Sequence, residues 1–231
     1  MAPPEVTDLG GLFFAPPGSG RAVRVSFLVD GFNLYHSLAL AGGERPGFKW
    51  LDVEGLCRSM LPDIHPAARL GPVTFFTAAP NHIEVRSPGA VVRHREYVSV
   101  LRACGVTVEL GRFKSRVRRC LRCDGIFESF EEKETDVAIA VRMFSLLWRR
   151  ECDAVMLVTA DGDMAPALRE ARSQFPSVPI LCGFPFGRGS HDLRALATRV
   201  IRLKRDRYAA HQLPDEVRLP DGSTARRPPG W

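Results

Sequence analysis

Val23-Arg-Val-Ser-Phe-Leu-Val-Asp-Gly-Phe-Asn33 is the stretch on which the fold turns. Its first part, residues 23–29, is short, apolar and β-branched, the pattern of a buried strand. It ends in Asp30-Gly31, and a helix-like segment runs from Phe32 to Leu40. Strand, acid, glycine and helix in that order form a strand-to-helix crossing. In open α/β sheets ligands bind outside the carboxyl ends of the strands, so Asp30 is expected at the mouth of such a crevice. A second strand, Ala154-Val-Met-Leu-Val-Thr-Ala160, ends in the same way, in Asp161-Gly162-Asp163. Between the two, Asp136 opens a long helical segment, Glu134 to Arg150.

The rest of the chain alternates in the same manner. Strands are expected at 73–77, 106–110, 178–182 and 200–203. Helices are expected from Asp52, which can N-cap, to Leu61 before Pro62, from Ala90 to Cys104, from Asp163 as a cap with Pro166 in the first turn, and from Asp192 to Ala197. Such alternation implies an α/β fold, a mostly parallel central sheet covered by helices on both faces. Residues 1–21, with Pro-Pro twice and Gly-Ser-Gly, read as a flexible leader. Residues 22–205 form one domain, interrupted by an insertion at 111–132. Residues 206–231, charged and Pro-rich, read as a disordered tail.

A chain of 231 residues is long enough for one such domain with tails. No apolar run approaches the roughly 18 residues of a membrane span, and the N-terminus lacks the basic and apolar regions of a secretory signal. Cys57, Cys104, Cys152 and Cys182 stand among apolar residues as buried thiols, which fits a reducing cytoplasm. The net charge of +6 permits a nucleic-acid partner and is equally a way to stay soluble.

Taken singly, each acid has a structural role to hand. Asp30 can form a turn with Gly31, Asp161 an Asx-turn, and Asp163 an N-cap, while Asp136 can complement a helix dipole. Jointly they differ. Two strands that both end in acid put three carboxylates at one sheet edge if the strands are neighbours. Clustered carboxylates raise one another's pKa, and a hard cation such as Mg²⁺ or Mn²⁺ neutralises them. Such a cation can activate water for in-line attack on phosphorus. Asn33, one short step from Asp30, can hold a water or a phosphate oxygen, or serve only as a polar residue at the helix start.

Val29-Asp-Gly-Phe-Asn-Leu-Tyr35, Glu132-Lys-Glu-Thr-Asp-Val137 and Val158-Thr-Ala-Asp-Gly-Asp163, in that order and spacing, resemble the NYN domain, a family of the PIN-like ribonucleases, and most closely its LabA-like branch. The similarity spans about residues 23–203. It implies a Rossmann-like PIN/NYN three-layer fold and metal-dependent hydrolysis of RNA. It gives Asp30, Asp136 and Asp161 the metal, Asp163 a supporting role, Asn33 a positioning role and Lys133 a contact with the scissile phosphate. Two positions depart from the family. Relatives often carry an acid where this chain has Arg142, and Ala-Asp where it has Ala197-Thr198. Either loss would weaken a second metal position.

In the insertion, Arg112, Lys114, Arg116 and Arg118 fall at every second position, and Arg119 and Arg122 add charge. On a strand the first four share one face, about 6.5–7 Å apart, close to the phosphate repeat of an extended single strand. The same row also suits a solvated edge strand protected by charge. Phe113, Phe127 and Phe130 can stack bases or anchor the insertion. Cys120-x-x-Cys123 has the spacing of half a structural Zn²⁺ site. Cys104, His94, His82 or a second subunit of a homodimer would have to complete it; otherwise these are two thiols on a hairpin turn.

The function expected is therefore a cytoplasmic, Mg²⁺- or Mn²⁺-dependent endoribonuclease acting on single-stranded RNA. A non-catalytic RNA-binding adaptor on the same fold, and a phosphatase or nucleotide hydrolase using the same acids, are the alternatives. The loop 183–190 lacks the Lys-Ser/Thr ending of a P-loop.

Overall fold

β1 (Val23–Asp30) is buried along its whole length except at Arg24, because parallel strands flank it on both sides. The computed structural model describes residues 22–43, 47–119 and 122–231; the segment read as a leader, residues 1–21, lies outside the described residues, as does Cys120. From β1 the chain runs through α1 (Gly31–Gly42), α2 (Val53–Ile64), β2 (Ala68–Ala78), α3 (Ala90–Ala103), β3 (Thr107–Arg119), β4 (Ile126–Lys133) and α4 (Thr135–Trp148). It continues through β5 (Ala154–Val158), α5 (Ala165–Gln174), β6 (Ile180–Phe184), α6 (His191–Leu196), β7 (Arg199–Arg202) and α7 (Arg205–Ala210), and ends in a small hairpin of β8 (Glu216–Arg218) and β9 (Thr224–Arg226). Among the described residues no helix is long and apolar enough to cross a membrane.

The main sheet has the order β4-β3-β2-β1-β5-β6-β7 and is parallel except for β4. Period-two alternation sorts its side chains into two cores. Val25, Phe27 and Val29 face α1, α2 and α3, while Leu28 faces α4 and α5. The result is the three-layer α/β arrangement expected from the sequence. The chain steps to one side from β1 to β3 and to the other from β5 to β7. The strand order thus reverses between β1 and β5, and a crevice at the carboxyl ends of these two strands is the switch point where such sheets bind ligands.

Four readings of the sequence need correction. The helix expected to stop before Pro62 continues to Ile64, with Pro62 inside its last turn; His65 still donates its N–H to the Leu61 carbonyl. The Asp163 carboxyl does not cap α5. Asp161 instead caps a short turn at 162–164, and Met164 stands at the α5 cap position without a side-chain bond. The strand expected to end at residue 110 does not end there: β3 runs on without a break from the sheet to Arg119 and forms a ribbon with β4.

The fourth correction concerns residues 206–231, expected to be disordered. They fold against the first core. Tyr208 is fully buried, its hydroxyl 2.9 Å from the Ser37 hydroxyl and accepting the Phe186 N–H. Leu213 and Ala225 are buried beside it, and Trp231 packs edge-on against Trp50 and Tyr97. Apolar residues spaced this far apart leave no periodic signal, so composition misled. Tyr208→Ala should cost about 3–5 kcal/mol of stability, the usual penalty for emptying an aromatic site. A urea titration checks it, since a disordered tail would give an unchanged midpoint.

Candidate active site

Asp30 ends β1 and caps α1. One carboxylate oxygen accepts the Asn33 N–H at 2.9 Å, and the other accepts the Thr159 hydroxyl at 2.8 Å. Only 5% of the residue is exposed. Burial pushes its pKa up, the two hydrogen bonds oppose the rise, and the charge of Asp161 adds to it. The turn-forming role and the charged-site role therefore coexist in one side chain.

Thr159 joins the two strand ends. Its hydroxyl donates to Asp30 and accepts the Asp161 N–H at 3.1 Å. The Asn33 side-chain oxygen makes a second tie, accepting the Ala160 N–H at 3.3 Å. Asp161 is then fixed by the Asp163 N–H at 3.0 Å on its own carboxylate. Thr159 was not singled out from the sequence. Its signal was a hydroxyl two residues before the acid that ends a buried strand.

Asp136 arrives from the opposite side, in the first turn of α4. Glu134 just before it has a left-handed backbone, φ 77°, which turns the chain out of β4 and brings the helix start back toward the strand ends. Lost solvation raises the Asp136 pKa, and the charges of Asp161, Asp30 and Asp163 raise it further. Asp136 thus feels the charges of the other three acids across the crevice, and Asp30 that of Asp161. Lys133 is the last residue of β4, three positions before Asp136.

Whether these residues fit a divalent cation can be tested on their chemistry. The donors are carboxylate oxygens, and their mutual repulsion is of the kind a hard cation relieves. Among the described residues, however, no group of three Asp, Glu, His or Cys side chains is close enough to hold an ion by itself. An open site, with one or two carboxylates and the remaining positions left to phosphate and water, is the mode Mg²⁺ favours. The residues fit a cation held in that way.

The two departures from the family pattern have separate explanations. Arg142 donates from Nε to Glu109 on β3 at 2.8 Å, so the helix cation is matched by an acid from the sheet. Asp30, Phe76 and Glu109 stand in register on β1, β2 and β3, which puts Glu109 about 10 Å from Asp30 at two strand spacings. Thr198 lies at the other end of the sheet. It exchanges hydrogen bonds with Ile180 at the start of β6, so its missing carboxyl takes nothing from the acids at the carboxyl ends.

Gly31 lets the start of α1 close against β2 beside Asp30. A Cβ there would fall against the Phe76 carbonyl oxygen and 2.6 Å from the Phe75 ring. Gly31→Ala should destabilise at the upper end of the roughly 1–3 kcal/mol typical of overpacking. Because the displaced atoms adjoin Asp30, the turnover of any reaction at the acids should fall about 100-fold. Urea midpoints and initial rates measure both, and a stable, fully active variant would contradict this geometry.

The basic row stands on β3 as expected. Arg112 lies opposite Lys133 and Arg116 opposite Ser129, while Lys114 has Glu131 as its register partner. Arg112 forms an ion pair with Glu134 beside the start of α4, so the row begins next to the acids. Arg119 pairs with Asp124, and Arg122 is exposed at the ribbon tip. The residues proposed to complete a zinc site with Cys123 lie elsewhere. His82 stacks with Phe113 and Phe130, His94 bonds Thr77, and Cys104 caps the far end of α3. Cys123 is exposed at the ribbon tip.

Comparison with solved structures places this fold among known ones. VPA0982 of Vibrio parahaemolyticus, a protein of unknown function, superposes with a TM-score of 0.55 at 17% identity, over 84% of this chain and 99% of its own. A deacetylase–teicoplanin complex from the biosynthesis pathway of teicoplanin overlaps far more loosely, at 13% identity over 68% of each chain with a TM-score of 0.33. No curated protein sequence matches the chain. The NYN domain matches residues 24–204, which include every acid of the crevice, and NYN domains are typically PIN-like nucleases. The chain belongs to the NYN domain family.

Proposed function

We propose that this protein is an endoribonuclease that hydrolyses phosphodiester bonds of single-stranded RNA at the crevice between β1 and β5, with Mg²⁺ or Mn²⁺ as its metal. One observation carries the reading: a buried Asp30 at the switch point, its pKa raised by burial and by Asp161, with the charges of both acids also acting on Asp136 at the start of α4. Such a cluster is costly to fold and suits positively charged chemistry. PIN-like nucleases generally use divalent metals. The motifs at 29–35, 132–137 and 158–163 are nearest to the LabA-like branch.

Asp30 and Asp161 would hold the cation, and Asp136 directly or through water. When bound, the cation supplies charge to the phosphate oxygens and lowers the pKa of a coordinated water. The chain's own residues do the rest. Thr159 and the Asn33 N–H fix the Asp30 carboxylate, and the Asn33 side chain locks the two strand ends together. Asp163 steadies Asp161 through its N–H. Lys133 lies close enough in sequence to the α4 start to meet a phosphate, and the β3 cations seat the strand beyond it.

A second reading, an RNA-binding adaptor, draws on the absence of a closed three-donor cluster among the described residues and on the Glu109–Arg142 pair. Incubation of purified protein with labelled single-stranded RNA separates the two. Cleavage with Mn²⁺ or Mg²⁺ that chelator stops is the expected result. Tight binding without cleavage in any metal would select the adaptor.

A further inference from the structure

A cavity of about 260 Å³ opens beside the acids, between the start of α1, the end of β2, α3 and the near end of the ribbon. Gly31 and Phe32 line it, so its wall begins one residue after Asp30. The function proposed above makes no use of it.

Rings make up much of its wall, and Phe130 backs one of them. The His82 ring lies 4.1 Å from that of Phe113 and is stacked at 4.8 Å on Phe130. Phe32 meets Phe113 edge-on at 6.3 Å. Phe32, Tyr35 and Phe130 stay 44%, 42% and 37% exposed, although rings of this kind are normally covered. Flat exposed rings beside a strand of cations are the usual platform for nucleobases, because every base offers a π-face.

The polar groups point the same way. Lys49 sits 5.0 Å over the Tyr35 ring, and Arg93 also lines the cavity. Cations at the rim suit the phosphates on either side of a seated base. The volume lies just under the ~300–1,000 Å³ of drug-sized ligand sites, which leaves room for one heterocycle and not for a stack of them.

We propose that this cavity is a base subsite: it takes one unstacked nucleobase of the RNA strand, next to the phosphate that lies at the acids. The position of that phosphate rests on the nuclease reading above; the stacking itself needs neither metal nor cleavage. A base can reach the cavity only when it is splayed out of a helix, so the subsite makes single-stranded RNA the substrate class. Aromatic walls accept any base, so discrimination between bases should be weak.

The test uses the full chain, chelator, and a set of short single-stranded RNAs that differ only in the position of one abasic nucleotide. Affinities come from fluorescence anisotropy. One position, or two adjacent ones, should lose about 10-fold in affinity, as removal of one base–aromatic stack does. Phe113→Ala should flatten this dependence. Because Phe113 also anchors the ribbon, the exposed Phe32→Leu serves as a second variant with the same expectation. If every abasic RNA binds wild-type protein as tightly as the parent, or if both variants keep the full position dependence, the subsite is refuted. Cleavage with metal is scored separately. Position dependence without cleavage retains the subsite and removes the nuclease, and cleavage without position dependence does the reverse.

Discussion

Asp30→Asn is expected to abolish metal-dependent RNA cleavage and to make the metal-free protein more stable at neutral pH. The second effect follows from the first assignment. Asp30 is buried, and burial with the charge of Asp161 raises its pKa in the folded state. Below the unfolded value of about 3.9 both states are protonated and the group costs nothing. As pH rises through the raised folded value, the folded state must carry a buried charge, and stability falls. Each unit of elevation corresponds to about 1.4 kcal/mol at neutral pH. The amide oxygen of Asn can still accept the Asn33 N–H, so the cap survives. A divalent ion should stabilise wild-type protein, by roughly 2.7 kcal/mol at a hundredfold excess over its Kd, and this gain should vanish in Asp30→Asn. Asp161→Asn should also lose cleavage, and it should lower the raised pKa of both Asp30 and Asp136, to which its charge contributes. Melting curves from pH 4 to 8, with and without Mn²⁺, read all of this beside the rates. Wild-type turnover in both variants, or an unaltered metal-induced shift, would remove the acids from the mechanism.

The parts of this site that could be read from the sequence are those fixed by local pattern. β1 and β5 are central parallel strands buried on both faces, so β5 is wholly apolar and β1 is apolar apart from Arg24 and Ser26, and the acid at or just beyond each end stands out. Once the two strands are neighbours, Asp30 and Asp161 must meet. What could not be read depends on contacts between distant segments. Thr159 matters because its hydroxyl spans from β5 to β1. Arg142 looked like a lost metal position, yet its charge is answered by Glu109, 33 residues away. The C-terminal segment has the composition of a disordered chain and is held by a handful of buried residues such as Tyr208 and Leu213. The aromatic rings of the cavity come from α1, β2 and the loop after it, α3, the ribbon and the last residue, segments with no shared periodicity.

Changing Arg112, Lys114, Arg116 and Arg118 together to Gln should weaken RNA binding through its salt dependence. For a single strand, log affinity falls with log salt by about 0.7 per phosphate neutralised. Four contacts therefore correspond to a slope change of roughly 3 units, and each cation that does not reach a phosphate removes about 0.7 from it. The ribbon supports such contacts, because the four residues occupy alternate positions of one continuous strand and Arg112 begins the row next to α4. Its ion pair with Glu134 is exposed, so it is worth ~1 kcal/mol or less and a phosphate can take its place. The loss should be uniform across RNA sequences, since phosphates carry no base identity. Cleavage at saturating RNA should fall less than affinity, because the acids at β1 and β5 are not moved. Affinities of wild-type and quadruple variant across a salt series decide it: parallel lines would mean that the row only protects an edge, and a variant whose deficit depended on base sequence would mean that the ribbon reads bases rather than the backbone.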